Sequence, residues 1–178
     1  MGDKSIGHLI VAAGTISSRL AIMQSMKASF LQRFLATRSD YGLMVARVTL
    51  GGVMFPHGAQ KLFGWFGGNG FQGTMQGMSQ GLGIPQPLVF LAIMAESIGA
   101  LMLVFGLGGR LAAFGIGVTM VVAGMMHVKN GFFMNWFGQQ AGEGYEYHLL
   151  TIGLAIVTMI AGSGALSVDR LLARTESE

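Results

Sequence analysis

His57 and Lys61 stand four residues apart in MFPHGAQKLFG (residues 54–64), a spacing that puts both side chains on one side of a helix. An imidazole and an ammonium in so apolar a segment can hydrogen-bond a carbonyl oxygen or pass a proton. Glu96, in IMAESIGA, supplies an acid from a second apolar stretch, and ionisable groups in such surroundings are functional candidates by default. At 100° per residue Arg47 also falls within an arc of roughly 80° with His57 and Lys61. Uniform helical rise puts Glu96 between Arg47 and His57 in depth, roughly 6–9 Å from each. Two readings of Glu96 follow, and they are compatible. One is a structural ion pair with Arg47, or a hydrogen bond to His57, that fixes helix register. The other is a proton-carrying carboxyl.

Three histidines from three apolar segments, His57, His127 and His148, are expected at similar depth, near Lys61, Tyr145 and Tyr147. Three imidazoles can hydrogen-bond a quinone oxygen, ligate a metal or hold a haem. No His-x-x-x-His spacing occurs within one segment, so the metal and haem readings rest on convergence alone, and no metal site is assigned. The bland alternative makes His127 and His148 ordinary interfacial residues. The site expectation is therefore Glu96 and His57 in proton chemistry. His57, Lys61, His127, His148 and Tyr145 are expected around a quinone or similar small molecule. The 14 methionines show no recurrent ligand pattern and are read as packing.

The elements that must position these residues follow from composition. The 178 residues are 52% hydrophobic and 11% charged, whereas a soluble domain is about 25% charged. Dispersed basic residues without interleaved stacking aromatics argue against nucleic-acid binding. The absence of cysteine excludes disulfides, thiolate ligation and dithiol chemistry by this chain.

Four stretches approach the about 20 residues that span a bilayer: 42–64, 85–107, 109–128 and 145–164. With the N-terminus inside, nine Lys or Arg residues lie on the cytoplasmic side, and only Lys61 and Lys129 lie outside. Both termini are thus expected to be cytoplasmic, in a bacterial-type inner membrane. Residues 1–40 carry Ile6, Leu9, Ala13, Ile16 and Leu20 at helical spacing, interrupted by Arg19, Lys27 and Arg33. They read as a basic amphipathic helix on the membrane surface, with a cleaved signal peptide as the alternative. The loop after the first span, with Phe71, Met75, Met78 and Leu82, suggests a short interfacial helix. Residues 173–178 read as a polar tail. The fold class is all-α: an integral membrane four-helix bundle with an N-terminal amphipathic interfacial helix.

RVTLGGVMFPHGAQKLFG, AESIGALMLVFGLGGRLAA, MMHVKNG and GSGALSVDRLL, in that order over roughly residues 40–172, resemble the DoxX family of small membrane proteins. The resemblance implies a four-helix inner-membrane protein whose recurring polar positions are Arg47, His57, Lys61, Glu96 and Asp169. It also implies a link to quinone-coupled thiosulfate oxidation or to membrane complexes of oxidative stress. Without cysteine the thiosulfate reaction is not carried over.

Two functions are therefore weighed. The first is a membrane subunit of a quinone-linked redox system, with no self-contained catalytic motif and a protein partner as electron donor. The second is a non-catalytic structural or assembly subunit of a larger membrane complex. A homo-oligomer is compatible with either. A transporter is disfavoured by the single central acid and the lack of inverted repeats.

Overall fold

The computed structural model describes residues 34–175. Residues 1–33, and with them most of the expected amphipathic helix, lie outside the described residues. The described residues are helical without strands. Helix α1 (Tyr41–Phe63) begins at Asp40, whose carboxylate accepts the Gly42 and Leu43 N–H groups at 2.7 and 3.2 Å. It ends at Gly64, which takes the left-handed conformation of a helix C-terminus. A short helix α2 (Gly70–Gln76) follows and runs into a π turn over Gly77–Gly81, within the loop expected to hold a short interfacial helix.

Helix α3 (Gln86–Phe105) contains a second π turn, Ala95–Gly99, and α4 (Gly109–His127) packs beside it. Helix α5 (Glu146–Ala161) stops three residues short of the expected 164, because Gly162 turns the chain at φ 85° and Gly164 donates its N–H to Thr37 Oγ1. Helix α6 (Val168–Thr175) takes in the first three residues of the segment expected to be a polar tail. Ser167 starts it, its hydroxyl accepting the Arg170 N–H at 3.4 Å.

The core is formed where α1, α3, α4 and α5 meet. Leu50, Met54, Leu103, Ile116, Met120 and Ala155 are buried there. The outward faces are apolar as well: Val45, Leu91, Phe114, Val118, Leu150 and Ile160 are all exposed. So wide an apolar girdle suits a bilayer and not water. Helices α3 and α4 are long and apolar enough to cross a membrane, with mean hydropathies of 2.4 and 1.9. Helix α1 carries Arg47 and Lys61, and α5 has 16 residues.

One end of the bundle is tied by arginine. Arg47 is 1% exposed, and its guanidinium donates to the carbonyls of Ser163, Leu103, Val104, Ala165 and Leu166 at 2.5–3.2 Å. Leu103 and Val104 lie in the last turn of α3, whose carbonyls lack helical partners and attract a cation. The same bonds hold Leu166 at φ 47°, a left-handed conformation unfavourable for a leucine. Asp169 complements them by capping α4 from outside. Its carboxylate accepts the N–H groups of Gly108 and Gly109 and the Ser163 hydroxyl, at 2.6, 3.1 and 2.6 Å. Arg110 in turn donates to Met159 of α5 and to Ala36 and Phe34, tying down the entering chain.

Candidate functional site

The acid of α3 is met by Lys61 and not by Arg47. Lys61 Nζ and Glu96 Oε2 form an ion pair, with the carboxylate side chain 3% exposed and the ammonium side chain 26%. The expected Arg47–Glu96 pair is thereby corrected, and side-chain direction gives the reason. Helical side chains lean toward their helix's N-terminus. Arg47 therefore leans toward the Ser163–Leu166 turn, where carbonyls absorb its donors. Lys61 leans back along α1 into the bundle, and Glu96, on a helix of opposite direction, leans toward it. The Lys61 ammonium is consequently directed at Glu96.

Local sequence brings these helices close. A Cβ on Gly58 would collide with the backbone of Glu96 and Ser97, so only glycine permits this approach. On the α3 side the π turn over Ala95–Gly99 widens the helix, and the Ser97 hydroxyl returns to the Ile93 carbonyl at 2.6 Å. Single π turns interrupting α-helices are frequent at functional sites. Here the turn presents Glu96 to α1.

Lys61 also walls a cavity of about 360 Å³ between the end of α1 and α2. Gln60, Asn69, Thr74 and Met78 share the wall, together with glycines of the 67–77 segment. The cavity thus combines one cation with neutral donors and acceptors beside a buried carboxylate. A carbonyl-bearing head group can be held there by hydrogen bonds.

A row of rings leads away from His57. Its imidazole lies 6.0 Å from the Tyr147 ring, whose hydroxyl donates to Met54 Sδ at 3.3 Å. Tyr147 stands edge-on to His148 at 5.7 Å, and His148 faces His127 at 4.8 Å with a tilt of 32°. His127 Nδ1 donates to the Ala123 carbonyl at 2.7 Å. His148 is buried, with the Tyr145 backbone beside its ring. Lys61 and Glu96 lie within electrostatic reach of His57, and His57 within that of His148.

The expected residues are therefore brought together in two groups. Lys61 and Glu96 form one, and His127 with His148 the other, with His57 and Tyr147 between them. His57 itself is exposed at the bundle surface. Tyr145 stands apart, its ring packed edge-on against Phe132 at 5.3 Å. Among the described residues no group of three His, Cys, Asp or Glu side chains is placed to hold a metal ion. Sequence reasoning missed Gly58, Gln60 and Thr74 and gave Tyr147 no role of its own. The small residue one turn before Lys61 was the available signal for close helix approach.

An all-helical membrane protein with an internal Lys–Glu pair is the class that this fold and site define. The DoxX family model matches residues 42–129, from α1 through α4, and the chain belongs to the DoxX family. The match stops before α5 and Asp169. No curated protein and no solved structure matches the chain.

Proposed function

We propose that the protein is a four-pass membrane subunit of a quinone-linked redox system, with α1, α3, α4 and α5 crossing a bacterial-type inner membrane. The positive-inside bias orients the Arg47 end and both termini to the cytoplasm. The observation that carries the reading is the cavity beside the Lys61–Glu96 pair. Lys61 is the donor to one oxygen of the head group, Gln60 and Thr74 supply neutral hydrogen bonds, and Glu96 and His57 exchange protons with it. Tyr147, His148 and His127 extend the proton-bearing groups toward the end of α4. A bound quinone supplies acceptance of two electrons and two protons. The chain has no cysteine to deliver electrons, so the donor is a partner protein.

The self-satisfied Arg47 network favours a second reading for the rest of the molecule, a stabilising or assembly subunit whose polar residues join its helices. Titration of a short-chain benzoquinone into nanodisc-embedded protein separates the two. The redox reading expects saturable binding, weakened about ten-fold or more by Lys61→Met, the value of one lost charge-assisted hydrogen bond. Absence of saturable binding, or equal binding by Lys61→Met, leaves the assembly reading.

A further inference from the structure

A second cavity, about 650 Å³ in volume, runs between α3 and α4 and is almost wholly apolar. The sequence makes it by placing small residues where two spanning helices meet. Ala92, Ala95 and Gly99 face it from α3, and Ala112, Gly115 and Ala123 from α4. On α3 it extends from Leu88 to Met102, a climb of roughly 21 Å at 1.5 Å per residue. Its far end, at Leu111, lies at the beginning of α4.

Met78 lines this groove and also the polar cavity beside Lys61. The two spaces therefore share one wall, formed by a flexible side chain in the π turn after α2. A polar chamber of head-group size and a long apolar groove, meeting at one methionine, match an amphiphile with a compact hydrogen-bonding head and a hydrocarbon tail. A small water-soluble ligand would use only the first space.

We propose that the α3–α4 groove is the tail subsite of the molecule whose head lies beside Lys61, and that its occupant is a polyprenyl chain. This rests on the quinone reading of the Lys61 cavity. A tail of about four isoprenoid units spans the groove's length at the rise of α3. Tail burial adds affinity that the head alone does not provide, and Met78 is the residue the molecule passes between its two parts.

The test uses the full chain in nanodiscs and two probes, a benzoquinone carrying one isoprenoid unit and the same head carrying four. Affinities are expressed per mole fraction in the lipid, so that partitioning cancels. Val118 and Val122 line the groove and are exposed on α4, so Val118→Trp and, independently, Val122→Phe fill it with apolar bulk. In wild type the four-unit probe is expected to bind about ten-fold or more tighter than the one-unit probe. In either variant that ratio collapses toward one while the one-unit affinity is unchanged. Equal binding of both probes in wild type overturns the tail subsite and leaves the head site standing. So does a ratio retained in both filled variants, including one accompanied by lost dimer or lost phospholipid, which gives the groove to a second copy or to the bilayer. Failure of both probes to bind wild type overturns the quinone reading and this inference together.

Discussion

The Lys61 ammonium and the Glu96 carboxylate meet because their helices run in opposite directions and both side chains lean toward their own N-termini. Gly58, one turn before Lys61, lets the π turn carrying Glu96 come into backbone contact with α1. Helix approach, helix widening and ion pair are thus one local arrangement, and each can be perturbed separately.

Gly58→Ala inserts a methyl group where the Glu96 and Ser97 backbone already lies. Overpacking of this kind costs about 1–3 kcal/mol. Gly52→Ala, on the same helix, meets nothing within 4 Å and serves as the neutral control. Thermal unfolding in detergent should show a lowered midpoint for Gly58→Ala alone. Equal midpoints for the two variants would contradict the close approach.

Lys61→Met leaves the Glu96 carboxylate buried without its cation, and Glu96→Gln removes the charge that Lys61 serves. Combining the two removes both charges. The double variant is expected to be more stable than the sum of the single losses predicts, with a coupling of about 1–3 kcal/mol. Additive losses would mean that the pair does not interact in the membrane.

Arg47 and Glu96, by contrast, should be independent. Arg47→Lys keeps the charge but cannot serve five carbonyls in fixed directions, and a loss of about 3 kcal/mol or more is expected. Its effect should add to that of Glu96→Gln within about 0.5 kcal/mol. A large coupling between them would restore the ion pair expected from helical depth alone.

That expectation shows where the sequence could be read and where it could not. Apolar length located the helices at Tyr41–Phe63, Gln86–Phe105, Gly109–His127 and Glu146–Ala161 within about three residues, since burial in lipid leaves little else for such segments to do. The stagger between helices was not legible. Gly58 lies five residues before the end of α1, whereas Glu96 lies ten after the start of α3, so α3 begins roughly 8 Å farther along the axis than α1 ends. The α2 segment and its π turn set this offset, and no periodicity announces it. Side-chain lean, however, was available from helix direction alone and would have separated Arg47 from Glu96.

Asp169 is the cap that a nearby chain segment gives to α4. Asp169→Asn keeps one acceptor oxygen for three donors, Gly108 N–H, Gly109 N–H and the Ser163 hydroxyl. A loss of about 1–2 kcal/mol is expected in thermal unfolding. Binding of a short-chain benzoquinone should be unchanged, because the cap lies at the Arg47 end. Loss of binding with the fold intact would place the ligand at the wrong end of the bundle.

The central claim is tested most directly by the quinone content of the protein as purified. The lipophilic fraction of wild type, His57→Ala and Glu96→Gln would be extracted and quantified after circular dichroism confirms equal helicity. The quinone reading predicts stoichiometric quinone in wild type and its loss in both variants. Wild type without quinone, and variants that differ from it only in stability, would contradict the reading and leave the protein as a structural member of its complex.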